Sequence, residues 1–247
     1  MLRPFLCAIG FLTRIPVPAQ VCSDADMARA AGYFAWVGGL IALPLWACAQ
    51  LAPSAGARLT AALVVAVWAY VTGGLHLDGL ADSVDGFSGG RGQHERTLEI
   101  MRDSRIGAHG ALALVLVLLL KVTALERLLD LHSWSWLLAP VVARFLCTVL
   151  VARFRYVRAQ GLGSAFAQRV GGLELGLGLI GVGAALSVGF RLGQVGLALA
   201  WALLAALAAA LAVGLTFRRR LGGLTGDGYG AAIELSEVAC LVVLCLR

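Results

Sequence analysis

The chain has 247 residues, of which 60% are hydrophobic and 14% charged, and glycine adds 31 more with no polar side chain. A soluble domain is nearer about 45–50% apolar with glycine counted and about 25% charged, so this composition excludes a soluble globule, a disordered chain and a secreted disulfide scaffold. The net charge of +6 comes with no aromatic-interleaved basic patch, so it reads as basic loops at a membrane and no nucleic acid is expected as a partner.

In chain order, an apolar patch at Phe5 to Leu12 comes first, bracketed by Pro4, Pro16 and Pro18. No small-residue cleavage site follows convincingly, so residues 1–30 are expected as an interfacial segment and not a cleaved signal. A spanning helix needs about 20 mostly apolar residues. Seven stretches qualify: Ala31 to Leu51, Leu59 to Leu77, Ala108 to Leu128, Trp134 to Ala152, Leu173 to Phe190, Gln194 to Phe217 and Tyr229 to Leu246. The expected fold is therefore all-α, a polytopic membrane bundle of about seven transmembrane helices in one domain over residues 1–247. Cys7, Cys22, Cys48, Cys147, Cys240 and Cys245 form no CxxC pair and read as small buried hydrophobes.

Basic residues set the orientation. Arg3, Arg14, Arg29, Arg91, Arg96, Arg102, Arg105, Arg153, Arg155, Arg158, Arg169, Arg218, Arg219 and Arg220 fall on alternate connections. Only Arg58, Arg127, Arg191 and Arg247 fall on the others, and Lys121 and Arg144 lie inside spans. The positive-inside rule then puts the N-terminus in the cytoplasm and the C-terminus outside, with an odd number of spans.

The longest connection, residues 76–107, reads HLDGLADSVDGFSGGRGQHERTLEIMRDSRIG. Asp78, Asp82 and Asp85 stand at i, i+4 and i+7. If the second span continues as a helix, their carboxylates share one face. Stacked like charges need a counter-charge, and Mg²⁺ suits a few carboxylates together with substrate phosphate oxygens. A solvated acidic loop is the plainer alternative, but the tight helical register and the GGRG that follows weigh against it. The glycines after Phe87 let backbone N–H groups approach an anion, and Arg91, Arg96, Arg102 and Arg105 offer forked donors to phosphate. Glu99 and Asp103 are four apart and suggest a second acidic helical face. His76, His94 and His109 form no HxxxH pair, so zinc is not expected.

A second polar knot, GGLTGDGYGAAIELSE, opens the last span on the same expected face. Asp227 sits between glycines, and Glu234 and Glu237 share a helical face. Carboxylates in an apolar span are functional candidates. The alternative is that they only neutralise a buried Arg such as Arg144.

These motifs resemble the cobalamin synthase (adenosylcobinamide-GDP ribazoletransferase) family. FLTRIPVP, YFAWVGGLIALPL, LHLDGLADSVDGFSGG, LEIMRDSRIGAHGALAL and GLTGDGYGAAIELSE carry the resemblance in order over most of the chain. It implies a Mg²⁺-dependent enzyme of the cytoplasmic (inner) membrane with its site facing the cytoplasm. Its substrates would be adenosylcobinamide-GDP and α-ribazole or its 5′-phosphate, and it would release GMP. Membrane lipid is the surrounding partner, and a homo-oligomer stays open. On this reading Asp78, Asp82 and Asp85 hold the metal, and Asp103 or Asp227 takes the hydroxyl proton. Arg91, Arg102, Arg105, Glu234 and Glu237 contact substrate. Two other readings compete with this one. Asp82-Ser83-Val84-Asp85-Gly86 matches the DxxDG core of CDP-alcohol phosphatidyltransferases, but Gly89-Gly90 replaces the following AR and the later GxxxDxxxD is absent. An ion-coupled transporter would show internal repeats, and none is seen.

Overall fold

A computed structural model describes residues 2–18, 22–158, 170–194 and 196–246. Arg169 and Arg247, both used in the charge count, lie outside them. The described residues form helices and no strand. The helices are α1 (Leu2–Leu12), α2 (Asp24–Ala30), α3 (Phe34–Ala49), α4 (Ala52–Ala55), α5 (Ala57–Thr72), α6 (Leu75–Gly89), α7 (His94–Ile100), α8 (Ala108–Asp130), α9 (Leu138–Arg153), α10 (Gly172–Arg191), α11 (Leu197–Leu221) and α12 (Gly226–Cys245). Six helical stretches are long and apolar enough to cross a membrane, or seven if the bent pair α5 and α6 counts as one span. The expected all-α membrane bundle is therefore what the chain forms.

α1 has 11 residues, about 16 Å of helix, too short to span. Its Cys7, Ala8, Ile9 and Leu12 are buried against the bundle. The second expected span is corrected. α5 stops at Thr72 because Gly73 and Gly74 take left-handed φ values of 65° and 71°. The chain then turns by 88° into α6. Only glycine adopts two such residues in succession at low cost. The expected second acidic face is also absent, since α7 ends at Ile100 and Asp103 lies beyond it.

The outer helices show apolar side chains to their surroundings. On α8 these include Leu112, Leu116 and Leu119, and on α11 Leu197, Trp201 and Leu204. Lipid is the solvent that such faces require. α9 and α12 are the inner helices, with 78% and 72% of their spanning windows buried. α12 packs against α6, α8, α9 and α11. At one end of the bundle, Arg58 at the start of α5 pairs with Glu126 near the end of α8 at 3.0 Å. Those two helix ends share a face, as the arginine pattern requires of Arg58 and Arg127.

The bundle interior holds charge. Lys121 Nζ of α8 donates to Glu234 Oε2 and Glu237 Oε2 of α12, each at 2.6 Å. Arg144 Nη1 of α9 donates to Glu237 Oε1 and to the Pro140 carbonyl. Lys121 also stands 4.6 Å from the centre of the Trp68 ring of α5. Two cations and two anions thus cancel inside apolar surroundings and join four helices. The cysteine reading holds for buried Cys147 and Cys240, whereas Cys7 and Cys22 are joined, tying α1 to the start of α2. Lys121→Met would leave a buried negative charge, with an expected loss of about 3–5 kcal/mol. Thermal unfolding in detergent micelles reads that loss, and an unchanged midpoint would show that the network does not hold the helices together.

Candidate functional site

The acidic register places Asp78, Asp82 and Asp85 on one helix, α6. α6 is brought against α12 at a backbone-to-backbone crossing. A Cβ on Gly79 would lie 2.9 Å from the Asp227 carbonyl oxygen, and one on Gly230 would lie 3.2 Å from the His76 carbonyl oxygen. The glycines of DGLAD and GDGYG are therefore contact residues. They let the start of α12 approach Asp78 and Asp82.

Asp227 lies in the first turn of α12, where Thr225 caps the helix by accepting from the Gly228 N–H. Arg158 Nη2 donates to Asp227 Oδ2 at 2.6 Å. A short backbone bridge aims Arg158 there. Val157 N–H donates to the Leu224 carbonyl, and Leu224 N–H donates to the Arg155 carbonyl, both at 2.8 Å. The loop after α9 is thus stitched to the turn before α12. Asp82 lies in the combined field of Asp78, Asp227, Arg158 and Asp85.

Asp85 has a second task. Its two carboxylate oxygens accept from the Gly107 N–H at 2.7 Å and the Gly110 N–H at 2.8 Å. These are free donors at the start of α8, whose cap residue Gly107 has no side chain to satisfy them. A Cβ on Gly107 or Gly110 would collide with the Asp85 carboxylate. Each oxygen keeps a further lone pair.

Two cavities adjoin Asp78. One of about 430 Å³ is bounded by Asp82, Ser104 and Ile106. The other, of about 160 Å³, lies between α6 and α12 and includes His76, Asp227, Arg158 and Tyr229. A larger groove of about 610 Å³ between α6, α8, α11 and α12 is almost wholly apolar and holds no titratable side chain.

The sequence model of one protein family, described as Cobalamin-5-phosphate synthase, matches residues 4–245. The chain belongs to this family. It is 42% identical over 245 residues to an adenosylcobinamide-GDP ribazoletransferase of Pseudomonas entomophila, covering 98% of each chain. It is 39% identical over 257 residues to one of Klebsiella pneumoniae strain 342, covering 99% of this chain and 100% of that one. It is 40% identical over 247 residues to one of Geotalea daltonii, covering 99% and 97%. No solved structure matches the chain.

Within this family member, Asp78, Asp82, Asp85 and Asp227 come together. Asp103 is bound by its neighbour. Arg105 donates to its carboxylate at 2.6 Å, and this hydrogen bonding holds the carboxyl down to about 2. Arg91, in a left-handed turn at φ 47°, and Arg102 are exposed. Glu234 and Glu237 lie inside the bundle with their carboxylates on Lys121 and Arg144, so the alternative weighed for them is the observed arrangement. Sequence reasoning left Arg158 as a topological charge and passed over Tyr229. A cation brought to GDGYG only by packing has no signature in one dimension.

Among the described residues, no three Asp, Glu, His or Cys side chains form a ready-made metal cage. The donor set does suit a hard cation that completes its shell with phosphate, since Mg²⁺ needs only one or two protein carboxylates. Asp85→Ala should unseat the α6–α8 junction at a cost of about 1.5–3 kcal/mol, with faster hydrogen exchange at Gly110. Asp85→Asn, which keeps one acceptor, should lose less. Equal behaviour of the two variants would remove the capping role.

Proposed function

We propose that the chain joins adenosylcobinamide-GDP to α-ribazole or its 5′-phosphate and releases GMP. The product is adenosylcobalamin or its 5′-phosphate, at the close of nucleotide-loop assembly. The observation that carries the reading is the meeting of Asp78, Asp82 and Asp227 beside two separate cavities, in a member of this family. A transferase must hold two substrates at one reacting centre.

The bond that forms joins the ribose hydroxyl oxygen to the cobinamide-side phosphorus. The bond that breaks runs from that phosphorus to the bridging oxygen, which leaves with GMP. The hydroxyl proton goes to a carboxylate. Asp227 is better suited than Asp103, because a carboxyl held near about 2 is a weak proton acceptor. Arg158 orients the Asp227 carboxylate through their 2.6 Å contact. Asp78 and Asp82 would hold Mg²⁺ against the pyrophosphate. When bound, the ion neutralises phosphate charge that would otherwise repel the incoming oxygen. Arg91, Arg102 and Arg105 lie on the exposed segments around α7 and supply donors for the same anion.

The arginine count supports a reading in which this face lies in the cytoplasm and the chain in the cytoplasmic membrane. Purified protein given both substrates and Mg²⁺ should release GMP, and chelation should stop it. Asp82→Asn should lower turnover about a hundredfold or more while inserting normally. Metal-independent release, or full activity in Asp82→Asn, would overturn the assignment. A reporter fused to the C-terminus should be active only outside the cytoplasm; activity inside would reverse the orientation.

A further inference from the structure

The cavity of about 160 Å³ has a charged mouth and an apolar interior. Of its lining residues Asp78 is exposed, and the paired Arg158 and Asp227 side chains are 14% and 16% exposed, which sets these three at the mouth. Its aromatic walls come from Phe11, Tyr156 and Tyr229, the last two stacked with ring centres 6.2 Å apart. His76 also lines it. His76 is 2% exposed, and neither ring nitrogen has a hydrogen-bond partner. The Tyr229 hydroxyl, on a residue 4% exposed, has none either. Buried polar groups are normally paired, and an imidazole always carries at least one N–H. Two such orphans on one small cavity indicate an absent partner.

The surroundings restrict what that partner is. Arg158 is already paired with Asp227, so the mouth keeps the net negative charge of Asp78, and this with the apolar walls disfavours a phosphate. A cavity of about 150 Å³ with apolar walls takes up a benzene ring. This one is of that size, is open at one end, and has hydrogen-bonding groups along its wall. It suits a flat, neutral ring with a nitrogen lone pair at its edge. We propose that it receives the aromatic base of the nucleoside acceptor, with His76 and the Tyr229 hydroxyl as the groups that hydrogen-bond the ring nitrogen and set base preference. With the base inside, the sugar hydroxyl stays at the mouth beside Asp78 and Asp227. The activated pyrophosphate is then left the wider cavity on the far side of Asp78. This inference rests on the transferase reading above.

The test compares α-ribazole with its indole analogue, which keeps the bicyclic shape and lacks the accepting nitrogen. The unmodified chain should prefer α-ribazole at least about tenfold in KM, the equivalent of one good hydrogen bond. His76→Ala and Tyr229→Phe should raise the α-ribazole KM and bring the preference toward unity, with the KM for adenosylcobinamide-GDP unchanged. His76→Gln, which retains a donor, should keep much of the preference. A purely structural role would move both KM values together and leave the preference intact, and either result would overturn the proposal. If His76→Ala does not insert, Tyr229→Phe decides, since it removes a single oxygen. Free 5,6-dimethylbenzimidazole should compete with the nucleoside and not with the corrinoid substrate. GMP release with unaltered base preference defeats this inference alone. No GMP release from the unmodified chain defeats the transferase reading with it.

Discussion

Two carboxylates inside an apolar helix set the terms for the rest of the bundle. Glu234 and Glu237 are buried on α12, where an uncompensated charge would be prohibitive. Lys121 from α8 and Arg144 from α9 neutralise them, and the Trp68 ring of α5 covers the lysine. Between lipid-soluble helices there is little hydrophobic drive to choose one packing over another. Directed ion pairs make that choice here. They fix the rotation of α12 about its axis, and so decide which side of its first turn faces α6.

That first turn is where the chemistry gathers. Gly79 and Gly230 remove the side chains that would hold α6 and α12 apart. Asp227 then reaches Asp78 and Asp82 across the crossing. The Tyr156–Leu224 bridge delivers Arg158 to the same place from the far end of α9. Asp85 fastens the other side by capping α8. The acidic helix is thus anchored at both flanks, and Asp78 and Asp82 are left at the cavities. Residues that look alike in the motif do different work: Asp85 is tied to backbone donors, while Asp78 is exposed.

Much of this was legible in one dimension. The spans from Ala108 and Leu173 begin within a residue of the observed helices α8 and α10. Apolar length is a local property, and lipid leaves the backbone no other way to satisfy its hydrogen bonds. The i, i+4, i+7 spacing of the acids also survived, because helical register is local. The break at Gly73-Gly74 looks like continuous span in the sequence, since apolar residues flank it and only the paired left-handed φ values reveal the turn. The joining of Cys7 to Cys22 was missed for a similar reason: two apolar-context cysteines look the same paired or free until the chain between them closes.

The sequence alone determined the solvent, the helical class, the family resemblance, and the acids to inspect. These follow from composition, from period and from contiguous motifs. Tertiary structure alone decided that Glu234 and Glu237 are internal ties, that Asp85 is a helix cap, that Arg158 serves Asp227, and that His76 and Tyr229 share one cavity. Each is a meeting of residues far apart in the chain. A carboxylate's role depends on which donor it meets, and that is fixed only when the helices have packed.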